Sequence, residues 1–243
     1  MREFIYLEEC NSTNSFLSNL LADNSTEKSY VVTSAFQSSG QGQGDAFWES
    51  EKGKNLTFSY NLVNMDIKAV NQFYISIIIS LSIADLIESY LPSETVKIKW
   101  PNDIYIHDKK LAGILVENSV LGDKIVASNI GIGININQQK FESNAPNPVS
   151  VIHYYNKQLD VKEVLFSYLK SFDNYYALLQ NGEFNILKSM YLDKLYRINK
   201  VGKYQINDEI IEGEIKGIDE FGFLSLMINN KLKSFDIKQV KYL

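Results

Sequence analysis

Cysteine, histidine and proline are scarce in this sequence. Its 243 residues include one cysteine, two histidines and four prolines. The single cysteine, Cys10, excludes an internal disulfide framework and suits a reducing compartment, so we expect a cytoplasmic protein. Two histidines beside one cysteine also argue against a zinc site.

The chain also lacks an excess of positive charge and a long apolar run. Its formal net charge is −5, which argues against a general nucleic-acid binder. The most apolar segment, residues 74–87, contains Asp85 and is shorter than the roughly 18 apolar residues of a membrane span. The N-terminal residues MREFIYLEEC do not form a signal peptide pattern. We therefore expect no nucleic-acid and no membrane partner, and we interpret residues 74–87 as a buried core helix.

The residues that are present suit one large or two unequal globular domains. A hydrophobic content of 45% supplies a core. Periodicity predicts strands at 4–7, 30–36 and 56–62, a helix after Ser12, a long helix at 67–90, and helices from 161 and at 183–192. From about Leu195 the chain becomes short β segments separated by Gly, Asn and Asp, which are typical of a small SH3-like barrel. We expect domains at 1–193 and 194–243.

The most informative segment is KWPNDIYIHDKKLAGILVE, residues 99–117. It combines strand alternation, turns and several lysines, which suggests a sheet surface that meets an anionic ligand. Residues 108–110 are expected to form a tight connection between two of its strands. Lys99 and Lys110 are candidate phosphate ligands, although lysines in strands are more often simply solvated. Gly113 weakens its strand unless a ligand lies against the backbone or a bulge occurs there. We expect the strand that contains Gly113 to be central in its sheet.

A glycine loop, GQGQG at residues 40–44, follows a predicted strand. Alternate glycines let backbone N–H groups approach an anion. The loop is neither a Walker loop nor a dinucleotide fingerprint, and a flexible surface loop explains it equally well. Trp48 could stack on a planar base, or it could belong to a core or a lid.

Taken together, these segments resemble biotin protein ligase, also called biotin–[acetyl-CoA-carboxylase] ligase. NSTN at 11–14 is similar to the family's [DN]STN, and Gln37 with the loop from Gly40 is similar to Q-x-x-GRGRxG. KWPNDI at 99–104 and KKLAGILVE at 109–117 match its two most specific motifs, and GIGININ at 131–137 matches G-x-G-x-N. The resemblance covers nearly the whole chain, in order.

The resemblance implies an α+β fold and a two-step activity. The fold is a mixed β-sheet flanked by helices, like that of class II aminoacyl-tRNA synthetases and biotin ligases, followed by a small C-terminal SH3-like β-barrel. ATP, with Mg²⁺, and the substrate biotin would give biotinyl-5′-AMP. Biotin would then pass to a lysine of a biotin carboxyl carrier protein domain of a biotin-dependent carboxylase. The resemblance also allows a homodimer, and it names neither the acceptor nor the metal ligands.

Site residues follow from the resemblance, position by position. Lys110 would hold the biotin carboxylate and the α-phosphate, and Asp103 would orient or receive the proton of the acceptor lysine, whose unperturbed pKa is about 10.4. The implied biotin-binding residues are Ser12, Thr13, Asn14, Gln37, Gln41, Gly42, Gln43, Lys110 and Gly113. The implied ATP and adenylate residues are Gly40, Gln41, Gly42, Gln43, Gly44, Trp48, Lys99, Asn102 and Asn135.

The glycine loop departs from the family pattern. Gln41 and Gln43 stand where arginines are usual, and Gly44 and Asp45 stand where Arg-Gly is common. Since an arginine near a phosphate contributes on the order of a few kcal/mol, we expect weaker retention of the adenylate, or compensation from nearby lysines. The candidates for compensation are Lys52, Lys54 and Lys109.

The sequence is also compatible with two other functions. The missing loop arginines suggest a non-catalytic biotin or adenylate sensor, but the retained Lys110, Trp48 and Asn102 argue against it. A lipoate-type ligase on a related fold is the third reading, and KWPND with GILVE argues against that one. Because the STN motif lies so close to the first residue, we expect a form without an N-terminal DNA-binding domain.

Overall fold

The computed structural model describes residues 2–23, 28–44, 46–143 and 146–243; Asp45 of the glycine loop lies outside this part. Within these described ranges, the larger, N-terminal portion contains seven strands and four α-helices. They are β1 (Arg2–Leu7), α1 (Thr13–Asp23), β2 (Ser29–Ser34), β3 (Leu56–Lys68), α2 (Phe73–Tyr90), β4 (Val96–Lys99), β5 (Asp103–Ile106), β6 (Lys109–Leu121), β7 (Lys124–Ile134), α3 (Val161–Gln180) and α4 (Phe184–Lys194).

These seven strands form one mixed sheet in the order β1-β2-β3-β7-β6-β5-β4. β1 pairs with β2 in parallel, and the remaining pairs are antiparallel. Because side chains alternate along β2, Val31 joins the core that contains α2 and α3, whereas Tyr30 and Val32 pack with Leu17 of α1. Helices therefore flank both faces, and the predicted α+β class is confirmed. As expected, β6 is an internal strand of the sheet.

Helix α2 is the apolar segment that the sequence predicts as a core helix. By length and mean hydropathy it would suit a membrane span, but most of it is buried inside the protein. Its predicted start at residue 67 is wrong. β3 continues through Ile67, which pairs with Ile125 of β7, and a short 3₁₀ turn at Ala69–Asn71 precedes the helix. Buried Met65 and Ile67 alternate with exposed neighbours, so their period is that of a strand.

The connection between β5 and β6 is also shorter than predicted. We expected residues 108–110 to form the turn, but Lys109 and Lys110 already belong to β6. His107 adopts a left-handed φ of 53°, which lets the hairpin reverse one residue earlier. Lys110 is thereby held in the sheet, opposite Tyr105 of β5.

The C-terminal residues form the second, smaller sheet that the short β segments predict. Its strands are β8 (Val201–Ile206), β9 (Glu209–Ile218), β10 (Leu224–Ile228), β11 (Lys231–Phe235) and β12 (Val240–Tyr242). They lie in the antiparallel order β11-β10-β9-β8-β12. Two hairpins turn through residue pairs with positive φ, 207–208 and 229–230, where Asn and Asp are well tolerated.

The small sheet packs against the N-terminal portion at β4. The amide of Tyr196 donates to the carbonyl of Ile98 at 2.8 Å. The indole Nε1 of Trp100 donates to the carbonyl of Gly222, also at 2.8 Å. These contacts bring the C-terminal strand β12 to the edge of the cavity described next.

Candidate functional site

A polar cavity of about 310 Å³ lies on the sheet between α1, the glycine loop and the small sheet. β6 and β7 form its floor, and the turn that joins β4 to β5 forms one wall. The structure brings thirteen of the predicted residues to its lining: Ser12, Thr13, Asn14, Gln37, Gln41, Gly42, Gln43, Trp48, Lys99, Asn102, Asp103, Lys110 and Gly113.

Three predicted residues, Gly40, Gly44 and Asn135, are not among the lining residues. Asn135 is buried just after β7, and its Nδ2 donates to the carbonyl of Val149 at 3.1 Å. Gly40 supports the loop from behind, since its carbonyl accepts from the amide of Trp48 at 2.9 Å. Gly44 adopts a φ of 62° in the open part of the loop, where glycine is favoured.

Buried hydrogen bonds fix the first turn of α1 against Gln37. The amide and hydroxyl of Thr13 both donate to Oε1 of Gln37, at 2.7 and 3.1 Å. The hydroxyl of Thr13 also lies 2.9 Å from that of Ser59 on β3. With its carbonyl oxygen engaged in this way, Gln37 has a fixed side-chain orientation at the cavity wall. Ser59 is a lining residue that sequence analysis missed, because β3 carries no recognisable motif there.

Asn14 presents an unpaired acceptor inside the cavity. Its Nδ2 donates to Glu117 at 2.7 Å. Its Oδ1 is buried and has no hydrogen-bond partner among the described residues. Buried polar atoms are nearly always paired, so this oxygen suits a ligand that brings an N–H donor.

Lys110 and Asp103 form an ion pair in the cavity, with 2.7 Å between Nζ and Oδ1. Each side chain is about a quarter exposed, at 28% and 26%. The backbone of Lys110 is held from the side, because its amide donates to Asn147 and its carbonyl accepts from Val149, both at 2.9 Å. A firmly placed ammonium thus faces the cavity beside a carboxylate.

Lys99 provides a second cation at the junction with the small sheet. Its Nζ donates to the hydroxyl of Tyr105 at 3.1 Å and lies 4.9 Å from the ring centre of Tyr242. Burial lowers the pKa of Lys99; the nearby charge of Asp103 raises it, and that of Lys110 lowers it. On the same wall, Nδ2 of Asn102 donates to the carbonyl of Ile114, which turns the side chain of Asn102 toward the cavity floor.

Two glycines of the floor allow the indole of Trp48 to lie directly on the sheet. A Cβ on Gly133 would fall 2.3 Å from Cε2 of Trp48, and one on Gly113 would fall 3.2 Å from its Cζ3. We expected the open space at Gly113 to serve a ligand, and in this structure Trp48 and Lys110 lie against it. Gly133 was not among the expected site residues, although the G-x-G pattern places Gly131 and Gly133 on one face of β7.

Hydrogen bonds tie the glycine loop at two points. Oε1 of Gln41 accepts from the hydroxyl of Ser15 at 3.2 Å and, at 3.5 Å, from that of Ser12. At the far end, Glu49 accepts from the amides of Glu142 at 2.9 Å and Ser143 at 2.8 Å. Burial raises the pKa of Glu49, but hydrogen bonds from Ser143, Glu142 and Gln138 outweigh burial and leave the pKa lowered.

The lysines expected to compensate for the missing arginines lie away from the cavity. Lys52, Lys54 and Lys109 are not among its lining residues. In the described part of the chain, the lysines that line it are Lys99, Lys110 and Lys241. Gln41 accepts from Ser12 and Ser15, so the loop places amide side chains at the cavity where the family pattern has arginines.

The donor set does not form a cage for a metal. Among the residues that the structure describes, no group of three or more His, Cys, Asp or Glu side chains could hold an ion. Asp103 is the only carboxylate among the described lining residues. Magnesium commonly binds through one or two carboxylates together with substrate phosphates, and this cavity fits that mode.

Comparisons with known proteins agree with the fold and the motifs. The sequence profile of the Biotin/lipoate A/B protein ligase family matches residues 6–135. The Arabidopsis thaliana protein named Biotin–protein ligase 2 is 26% identical over 80% of this chain, and the match spans 60% of that protein. The Bacillus subtilis protein named Bifunctional ligase/repressor BirA is 27% identical over 96% of the chain, and the match spans 71% of that protein.

A solved structure of similar fold spans almost the whole chain. It is titled biotin protein ligase from Aquifex aeolicus in complex with biotin and ATP. The two chains superpose with a TM-score of 0.81 at 23% identity, and the match covers 98% of this chain and 97% of that one. At this identity the likeness establishes the fold.

Proposed function

Because the chain belongs to the Biotin/lipoate A/B protein ligase family, we propose that it joins biotin to the α-phosphate of ATP, with release of pyrophosphate, to give biotinyl-5′-AMP. It then transfers biotin from this intermediate to a protein lysine, with release of AMP. The observation that carries the proposal is the Lys110–Asp103 pair in the cavity, with 2.7 Å between the two charged groups. It supplies a cation where two anions must meet and a carboxylate where an amine must lose a proton. We also propose that residues 1–193 form the catalytic domain and residues 194–243 form the C-terminal domain.

The biotin end of the cavity is assigned to the residues around α1. The unpaired Oδ1 of Asn14 is an acceptor suited to a ureido N–H. Gln37, held by Thr13, and Ser12 present further polar groups beside it. Trp48 lies on Gly113 and Gly133, so the ligand would have to displace the indole or pack against its outer face.

In the first step, a carboxylate must attack a phosphate although both are anions. The ammonium of Lys110 sits where it would face both groups. At about 4 Å and an effective dielectric near 20, one cation contributes roughly 4 kcal/mol toward each anion. Lys99 would act on the phosphates that leave. Magnesium, brought by ATP, would add positive charge at the phosphates, with Asp103 as its one candidate protein ligand.

In the second step, the acceptor amine must lose a proton, and its ordinary pKa is about 10.4. Asp103 is the candidate to receive or orient that proton. In the free protein Asp103 is paired with Lys110. If Lys110 turns toward the adenylate, the carboxylate becomes available to the incoming amine. The proposed acceptor is a biotin carboxyl carrier protein domain in the cytoplasm, and a homodimer is part of the same proposal.

A biotinylation assay with a matched lysine control tests the proposal. The protein is incubated with ATP, Mg²⁺, biotin and a carrier domain, and the mass of the carrier domain is measured. The wild type should biotinylate it, and Lys110→Ala should lose the activity. Lys109→Ala should keep it, because Lys109 is the neighbouring lysine but does not line the cavity.

Pyrophosphate exchange and competition between biotin and lipoate separate the other functions. A wild type that binds biotin but shows no biotin-dependent pyrophosphate exchange would be a sensor, and the proposal would fail. Preferential transfer of lipoate when both acids are present would reassign the substrate. Equal loss of activity in the Lys110 and Lys109 variants would remove the specific role given to Lys110.

A further inference from the structure

The ammonium of Lys99 is held between two tyrosines that come from different sheets. Tyr105 of β5 accepts its hydrogen bond at 3.1 Å. Tyr242 of β12, in the small sheet, places its ring centre 4.9 Å from Nζ. Among the described residues, no carboxylate lies within ion-pair distance of Lys99.

Packing within the small sheet fixes the ring of Tyr242. It lies opposite Tyr204 in the β12–β8 pair, and the two rings meet edge to face with 5.3 Å between their centres. The ring centre of Tyr196, which precedes the small sheet, lies 6.4 Å from that of Tyr242. The hydroxyl of Tyr242 is buried and has no hydrogen-bond partner in the described part of the chain, so the ring is the part that acts on Lys99.

An aromatic ring attracts a cation differently from a carboxylate. The negative face of the ring draws the ammonium but does not cancel its net charge. A carboxylate partner, such as Asp103 for Lys110, does cancel it and must be displaced before the cation can bind a phosphate. The Tyr242 ring therefore orients Lys99 and leaves its charge free for an anion. This attraction strengthens when the pair is shielded from water, as it is at this junction.

We propose that Tyr242 is a positioning residue that aims the Lys99 ammonium at the ATP phosphates, so that the C-terminal sheet takes part in adenylate formation. The proposal rests on the function proposed above and names the contribution of the small sheet to it. Tyr242 and Lys99 both line the cavity. Tyr242 is not expected to touch the reacting atoms.

Biotin-dependent ATP–pyrophosphate exchange tests this role. Tyr242→Leu should raise KM for ATP about three- to tenfold and leave KM for biotin unchanged, because biotin lies at the α1 end of the cavity. Tyr242→Phe should behave like the wild type, since it keeps the ring and loses a hydroxyl that has no partner among the described residues. Tyr6→Leu is the matched control, because Tyr6 lies on β1 and is 65% exposed.

A shape-preserving series keeps the test valid if Tyr242→Leu folds poorly. Trifluorophenylalanine at position 242 has nearly the size of phenylalanine but a much weaker negative face. The KM for ATP of the protein that carries trifluorophenylalanine should rise toward that of Tyr242→Leu, while its melting temperature stays unchanged. In a Lys99→Ala background, the changes at position 242 should no longer affect KM for ATP.

The outcomes separate this inference from the proposed function. A wild type without biotin-dependent exchange overturns the proposed function. An active wild type with the same KM for ATP in the phenylalanine and trifluorophenylalanine variants overturns the role of Tyr242 alone. Parallel rises in KM for ATP and for biotin in Tyr242→Leu would indicate general damage and would also count against it.

Discussion

Replacing Gly133 with alanine should push Trp48 off the floor of the cavity. The new Cβ would lie 2.3, 2.5 and 2.7 Å from Cε2, Nε1 and Cζ2 of the indole. Carbon atoms pack at about 3.5–4.0 Å, so the ring must retreat by more than about 1 Å. Overpacking of this kind costs about 1–3 kcal/mol of unfolding free energy. We expect the lower half of that range, because Trp48 lies on a loop that can move.

The matched control is Gly131→Ala, on the same face of β7. There the nearest atoms to the new Cβ are Oδ1 of Asn14 and Oγ of Ser59, both at an ordinary 3.5 Å. The loss of backbone freedom in the unfolded chain should make this variant neutral or more stable by up to about 1 kcal/mol.

Urea unfolding and tryptophan emission give the two readouts. The chain has two tryptophans, and Trp100 is 5% exposed and hydrogen-bonded to Gly222. A red shift in Gly133→Ala therefore reports Trp48 moving into water. If both alanine variants show the same stability and the same emission maximum, Trp48 does not lie on Gly133 and the account of the cavity floor is wrong.

Three further predictions concern the site and its loop. Asp103→Asn should slow transfer to the carrier at least tenfold in single turnovers started from preformed biotinyl-5′-AMP, a step that needs neither ATP nor magnesium; a wild-type transfer rate would exclude the proposed role. Gln41→Arg should slow dissociation of biotinyl-5′-AMP severalfold in a filter-binding chase, and no slowing would show that the loop meets the adenylate without that charge. Glu49 has a lowered pKa, so its hydrogen bonds contribute stability above the unfolded pKa of about 4.5 that is lost as the pH falls through the folded value. As the pH is lowered below about 5, the unfolding free energy should therefore fall less steeply in Glu49→Gln than in the wild type. Identical slopes would count against the role of Glu49 in holding the glycine loop.

The strands that carry the motifs could be predicted because their signal is local. Alternation around Ile98 and the turn at Pro101 define β4 and its end from a few neighbouring residues. The start of helix α2 depends on a contact that is not local. Ile67 pairs with Ile125 across the sheet, and this pairing overrides the helical pattern of the apolar segment that follows. Propensity cannot report such a partner across the sheet.

Contacts between segments that are distant in the sequence could not be predicted. Gly113 indicated a point where a ligand could approach the backbone closely, but no pattern indicated that the indole of Trp48 would lie there. Likewise, β12 carries no motif, so only the packing of the small sheet against β4 brings Tyr242 to Lys99. The candidate site is thus predictable where one strand or turn supplies it, and unpredictable where two sheets or a loop must meet.

The two backbone hydrogen bonds that hold Lys110, here called the clamp, affect which sequence changes this chain can accept over evolutionary time. The clamp uses the carbonyl of Asn147 and the amide of Val149, so it does not depend on the side chains at those positions. Pro148, between them, needs no N–H for it. Deletion of one residue from this segment would move one of the two bonds out of register, so the hydrogen bonds themselves constrain its length. Its composition is limited by other contacts: Asn147 adopts a φ of 49°, which favours Asn, Asp or Gly, and Val149 is buried in the core. Selection should therefore preserve length through the backbone bonds and residue type through local conformation and packing.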